Sequence, residues 1–275
     1  MNKIEGRVGR SSRTPVKHYL LNSSLGKVCG ALTTESPNLP CKITHFQPLI
    51  CVDLCGGDGV KNEDHDASPL IMYHHCEKLA VRGKSATLRI IEKQPNTFEQ
   101  LRINCDWMDK RIVTLSMSDA RDYRLPVMAE TQAAYVHCDP NAVDQIPLTE
   151  PFVDGFNKFT TYLVTLGCNV TGLKRLKLEE RAVWYDYVNM LIEVLPGHHD
   201  AILFWLDRDA DQWAYLLSFP IKWARDFKQQ AVTQTSKMWT KGVSAASWRQ
   251  EKSEFRMALH RLFLTKKEHA NLNAD

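Results

Sequence analysis

The chain lacks any apolar run approaching eighteen residues, and its opening stretch, MNKIEGRVGRSSR, has no hydrophobic region behind its charges. A membrane-spanning helix needs about twenty such residues in series. The sequence therefore reads as soluble, with the cytoplasm as the expected compartment and no membrane partner. It also lacks a CxxC pair. Its eight cysteines, at 29, 41, 51, 55, 76, 105, 138 and 168, are scattered and mostly lie among apolar or small neighbours. That usage suits reduced, buried thiols better than a disulfide framework. No GxGxxG stands in the chain, because Gly57-x-Gly59 is followed by Asn62, and no GK[ST] follows a glycine loop. The dinucleotide fingerprint and the Walker loop are both excluded. Metal motifs fail as well. His74-His75-Cys76 falls in a predicted helix, where neighbours diverge by about 100°, and no CxxC or HxxxH completes a tetrahedral set. Asp207-x-Asp209-x-Asp211 resembles the start of a calcium loop. Its sixth position, Gln212, and twelfth, Ser218, carry the wrong residues, so it reads as a hairpin turn and no metal is expected.

Charge is present but segregated. The net charge is +3. Residues 1–45 carry seven Lys/Arg against two Asp/Glu, and residues 222–275 carry eleven against five. The middle, 46–221, holds 17 against 25. Two basic ends flank an acidic body, which is the charge pattern of a chain whose ends meet a polyanion, and nucleic acid is the expected partner.

The organisation follows from periodicity and punctuation. Residues 1–13 read as a basic arm. Thr14-Pro15 opens a helix with Val16, Tyr19, Leu20, Val28 and Leu32 as its buried stripe. Strands are predicted at Leu49–Leu54, Ala86–Ile91, Ile112–Met117, Ala133–Cys138 and Tyr162–Leu166. Helices are predicted from Ser68-Pro69, with serine as cap, to about Val81, over Asn96–Cys105, and over Leu178–Leu195. Strands alternating with helices make an α/β, mostly parallel sheet covered on both faces. Ala201–Leu206 and Trp213–Phe219 are joined too closely for anything but an antiparallel hairpin, placed at the sheet's edge. Two polar helices, 221–240 and 247–265, follow. The expected division is a basic arm and N-terminal helix (1–45), a central ligand-binding domain (46–220) and a basic helical extension (221–275).

The chemistry begins at "CVDLCGGDG", residues 51–59. A strand ending in an acid and opening into a glycine turn is the first unit of a doubly wound sheet, whose ligands sit beyond the carboxyl ends of the strands. D-x-x-x-G-x-G, from Asp53 to Gly59, is the pattern of class I S-adenosylmethionine (SAM) methyltransferases. Three further strands end in acids: Glu92, placed to accept from ribose hydroxyls; Ser118-Asp119, placed to receive the adenine amino group; and Asp139-Pro140-Asn141, beside a transferred methyl. The expected cofactor contacts are therefore Asp53, Gly57, Asp58, Gly59, Glu92, Ser118 and Asp119, with Asp53 and Asp58 near the ammonium. Asp139, Pro140 and Asn141 are the expected catalytic set.

"DLCGGDGVKNEDHDASPLIMYHHC" followed by "IIEKQPNTFEQL" resembles the three-Cys-motif partner (TcmP) family, a methyltransferase-like group. Ala67-Ser68-Pro69-Leu70 stands at the family's GSPL, and Asp139-Pro140 with Ile146-Pro147-Leu148 at its later DP motif. The similarity covers about residues 45–150 and is loose in the C-terminal third. It implies a Rossmann-like class I methyltransferase fold and SAM as cofactor. Cys55, Gly56 and Asp58 depart from the family's first loop, and Asn141-Ala142 replaces an aromatic-containing tail. In amino-methylating enzymes that aromatic stacks the target base; Trp107, Phe152 and Phe156 are the nearest substitutes. Cys138, one residue before Asp139, reads as a core thiol rather than a nucleophile.

The tail interleaves Trp239 and Trp248 with Lys237, Lys241 and Arg249, aromatics amid cations that suit base stacking with phosphate contact. The same segment, with Trp248, Phe255, Leu259 and Leu262 at helical spacing, also suits packing on the body. The expectation is a SAM-dependent methyltransferase acting on nucleic acid. The alternative is an inactive methyltransferase-fold protein that binds nucleic acid or a protein partner through its basic ends.

Overall fold

The computed structural model describes residues 14–33, 48–60, 66–124, 132–139, 163–170, 199–205, 214–220 and 241–244. The chain opens with helix α1 (Thr14–Thr33) and then alternates β1 (Leu49–Asp53), α2 (Ser68–Val81), β2 (Ala86–Glu92), α3 (Pro95–Asn104), β3 (Val113–Met117) and, after a 3-10 turn at Ala120–Asp122, β4 (Ala133–Cys138). Strands β5 (Leu163–Val170), β6 (His199–Trp205), β7 (Ala214–Pro220) and β8 (Lys241–Ser244) complete one eight-stranded sheet in the order β3-β2-β1-β4-β5-β7-β6-β8. From β3 to β5 every pairing is parallel. Strand β7 runs antiparallel to both β5 and β6, and β8 antiparallel to β6. The strand order reverses between β1 and β4, which opens a crevice at their carboxyl ends.

The central strands are apolar because both of their faces are covered. All six residues of β4 are buried, as are four of the five in β1. Strand β2, one place further out, alternates instead, with Thr87 and Arg89 exposed. Helix α2 begins at Ser68 with Pro69 in its first turn, where a missing N–H costs nothing. It stops at Gly83, whose φ of 71 lets Gly83 N and Lys84 N cap the Ala80 and Leu79 carbonyls. Ser68, expected as the cap, is instead the buried first helical residue, and Ala67 holds the cap position without a side-chain bond.

Helix α1 belongs to the main core. Leu20, Leu21, Leu25, Val28 and Leu32 join Cys51, Met72, Cys76 and Tyr135 in one cluster. Ser24 Oγ and Tyr135 Oη lie 2.6 Å apart, a buried polar bond that fixes the helix over β4. The expected stripe misses Leu21 and Leu25, because α1 is covered over a wider arc than a surface helix would be.

Three sequence expectations change here. Strand β5 continues past Leu166 to Val170, because it is paired on both sides and needs no apolar continuation. The hairpin is not the edge: β7 is inserted between β5 and β6, and β8 lies outside them. Strand β8 comes from the segment assigned to a helical extension. Four residues are too few to show a strand pattern, but the open side of β6 supplies their pairing partners. The helices expected at Leu178–Leu195, 221–240 and 247–265, and the arm 1–13, lie outside the described residues. Among the described residues, no helix is long and apolar enough to cross a membrane.

Candidate functional site

The turn after β1 is stitched to both neighbouring strands. Leu54 N donates to His137 O of β4 at 2.9 Å, and Gly56 N donates to Ile91 O of β2 at 2.9 Å. Gly57 and Gly59 take φ of 60 and 67, the left-handed region that side chains disfavour. Their surroundings differ. A Cβ on Gly59 would meet Leu101 Cδ1 at 2.8 Å, whereas one on Gly57 would meet nothing within 4 Å. Gly59 is thus a packing glycine against α3, and Gly57 faces open space. Gly56, which is not among the expected cofactor contacts, is also closed to a side chain by Ile90.

Glu92, at the end of β2, reaches back to this turn. Its Oε2 accepts from Gly57 N at 3.0 Å and its Oε1 from Gln94 N at 2.8 Å. A carboxylate offers about four acceptor sites, so acceptor capacity remains beyond these bonds. Burial raises the carboxyl above its ordinary value, against the opposing effect of the Gln94, Gly57 and Lys93 N–H groups. One acid therefore both holds the glycine turn and presents acceptors beside it.

Asp53 is fully buried. Its Oδ1 accepts from Cys55 N at 3.2 Å, and its Oδ2 has no hydrogen bond of regular geometry. Burial raises its pKa; His137, its register partner on β4, and then the Ser68 hydroxyl oppose the shift. Asp58, expected near an ammonium, is engaged within the turn: Oδ1 accepts from Val60 N at 3.1 Å, and its carbonyl accepts from Asn104 Nδ2 at 2.7 Å.

Asp119 is in the opposite condition. Oδ1 accepts from Arg121 N and Nε, both at 3.0 Å, and Oδ2 from Arg121 Nη2 at 2.6 Å and Lys93 Nζ at 2.8 Å. The Arg121 fork, and then Lys93, hold its carboxyl well below the usual carboxylate range. Ser118 is exposed and ties β3 to β2 through Ser118 N and Glu92 O at 3.2 Å. Asp139, half-buried, follows directly on the buried end of β4, one strand from the glycine turn.

The four strand ends thus bring Asp53, Glu92, Asp119 and Asp139 to one edge of the sheet. Pro140, Asn141, Phe152, Phe156, Lys237, Trp239, Trp248 and Arg249 lie outside the described residues, and Lys241 is placed as the first residue of β8. Trp107 cannot replace a stacking aromatic at this edge. It sits in the turn between α3 and the amino end of β3, packed edge-on against Tyr73 at 5.2 Å between centroids. His74 and His75 engage different partners: His74 faces Glu77, and His75 Nε2 lies 2.8 Å from Asn22 Oδ1. Among the described residues no group of three His, Cys, Asp or Glu is placed to hold a metal. Cys29, Cys51, Cys55, Cys76, Cys105 and Cys138 are in no disulfide, and burial pushes Cys29 up to about 12 and Cys105 to about 11. Sequence reasoning missed Lys93 and Arg121; the signal was a cation directly after one strand-ending acid and another two residues after the next.

No protein-family model matches the chain, and no curated protein matches it in sequence. The resemblance to three-Cys-motif partner proteins therefore rests on the quoted residues alone. Among solved structures, a Legionella pneumophila protein of the DUF519 family is similar at 11% identity, over 83% of this chain and 94% of that one, with a TM-score of 0.54. A precorrin-6y C5,15-methyltransferase from Geobacter metallireducens matches at 10% identity over 68% and 93%, TM-score 0.36. A SAM-dependent methyltransferase from Leishmania major matches at 11% over 74% and 73%, TM-score 0.36. The first likeness shows that this chain shares its fold with that protein.

Proposed function

We propose that the protein is a class I SAM-dependent methyltransferase acting on nucleic acid. The observation that carries this reading is Glu92: a half-buried carboxylate at the end of β2, bonded to the glycine turn of β1 beside the crevice where the strand order reverses. Phosphates are poor occupants of that edge, because Glu92 borders it and the buried Asp53 ends β1 there, and burial already disfavours negative charge at both. A neutral sugar with vicinal hydroxyls and a cationic amino-acid tail suits them.

The residues present fit SAM. The open space over Gly57 leaves room for a ligand at the backbone, the remaining lone pairs of Glu92 would accept from ribose hydroxyls, and Asp119 would read the base. Asp53 would act through the turn it braces at Cys55 N, with its negative charge favouring a cationic tail. The cofactor supplies an electrophilic methyl group on a sulfonium. The chain's own work is to hold an acceptor in line with that methyl and to exclude water, so catalysis rests on proximity and orientation. Asp139, immediately after β4, would orient the acceptor through its carboxylate, with Pro140 and Asn141 completing that loop. The basic ends, with Lys237, Trp239, Lys241, Trp248 and Arg249, would draw in the phosphate backbone.

The test is transfer of a labelled methyl from SAM to total cellular DNA, RNA and protein by the full chain. Incorporation into nucleic acid that Asp139→Ala abolishes while SAM affinity stays nearly unchanged supports the proposal. A protein that binds SAM and labels nothing is the inactive binder instead.

A further inference from the structure

The acid assigned to the base has its acceptor positions taken. A carboxylate offers about four lone-pair sites, and Asp119 receives four donors, three from Arg121 and one from Lys93. A base amino group can reach it only by displacing one of them. The four are not equal. Arg121 is two residues away in sequence, engages both oxygens through its fork and adds its backbone N–H, so loss of one bond leaves the others in place. Lys93 comes from the segment after β2, spans to β3 with a single contact at 2.8 Å, and has a side chain 42% exposed. A flexible stem with one solvent-facing contact is the weakest of the four.

We propose that Lys93 is a displaceable occupant of the base-reading carboxylate and sets purine selectivity. The amino group of adenine takes the place of Lys93 Nζ on Asp119 Oδ2, whereas a 6-oxo purine leaves Lys93 in place and accepts from its ammonium. This rests on the SAM reading above. Arg121 is the positioning residue in this arrangement, since its fork holds the carboxylate's plane when Lys93 leaves. Lys93 thereby lowers the discrimination that Asp119 alone would impose: with the lysine present, the strand-end pair offers an acceptor to one base and a donor to the other.

The experiment is calorimetric titration of the full-length protein and of Lys93→Met and Lys93→Arg with S-adenosylhomocysteine and S-inosylhomocysteine, at low and moderate salt. Methionine keeps the stem and removes the competing charge. The expected result is that Lys93→Met binds the adenosine compound at least as tightly as the unaltered protein. Its preference over the inosine compound should rise by about tenfold, the worth of one charge-assisted hydrogen bond. Affinity of the unaltered protein for the adenosine compound should rise with salt, as screening loosens the Lys93–Asp119 pair, and that rise should vanish in Lys93→Met. Lys93→Arg, which can engage Oδ2 more firmly, should bind the adenosine compound more weakly. Loss of adenosine-compound affinity in Lys93→Met, or an unchanged preference between the two, overturns the proposal and leaves the SAM reading standing. If the unaltered protein binds neither compound, the SAM reading falls and this proposal with it.

Discussion

Glu92 and Asp119 occupy equivalent places, each at the carboxyl end of one of two adjacent parallel strands, yet the protein holds them in opposite states. Glu92 is held by neutral backbone donors, and burial raises its carboxyl. Asp119 is held by Arg121 and Lys93, and its carboxyl is driven down. The difference teaches that a strand-end acid is not by itself a ligand contact. Its partners decide whether it has acceptors to offer, and whether it stabilises the fold or is stabilised by it. Glu92 is a group kept ready at some expense to folding, as functional groups often are. Asp119 is already satisfied.

Removing Glu92 should separate the two most sharply. Glu92→Ala is expected to weaken SAM binding by about 10- to 100-fold, the equivalent of about 1.5–3 kcal/mol of charge-assisted hydrogen bonding, as read by calorimetry. The comparison fails if Asp119→Ala has the larger effect.

The turn that Glu92 holds can be tested separately. In Gly59→Ala a methyl group meets a left-handed φ and the Leu101 side chain together, so about 1–3 kcal/mol of unfolding free energy should be lost in a denaturant titration. A neutral result would mean that the turn relaxes freely and does not position Glu92.

A smaller effect is expected on the other side. Asp119→Asn should cost about 0.5–1 kcal/mol, because Lys93 and Arg121 are both substantially exposed. The pH dependences should run in opposite directions. The advantage of the unaltered protein over Asp119→Asn is fully present above the ordinary aspartate value of 3.8, begins to shrink as pH falls below it, and is lost only towards the much lower pH at which the folded carboxyl protonates. Against Glu92→Gln the unaltered protein should lose stability as pH rises above 4.5, because ionising a buried glutamate in the folded state is disfavoured. Thermal unfolding of the three proteins from pH 3 to pH 7 reads both slopes; slopes of the same sign would erase the distinction.

Strand ends were legible in the sequence because an acid closes an apolar run at each of them. Asp53, Glu92, Asp119 and Asp139 can all be placed that way, and α2 from its Ser-Pro start. What the sequence withheld was pairing. Nothing in "KGVS" announces β8, since a four-residue edge strand owes its form to the open hydrogen bonds of β6. Nothing in "DAR" shows that Arg121 folds back on Asp119, because that contact depends on the 3-10 turn between them. The buried Leu21 and Leu25 were missed for a related reason: a helix covered over a wide arc does not keep to a narrow stripe.

The central claim is that the edge formed by the glycine turn and Glu92 binds SAM. Its most direct test is calorimetric titration of the unaltered full-length protein with S-adenosylhomocysteine near neutral pH, repeated as the pH is lowered. The account predicts saturable one-site binding that weakens as pH falls through the raised value of Glu92, where the carboxylate that accepts from the ribose becomes protonated. Absence of heat and of any shift in melting temperature at millimolar ligand would contradict it.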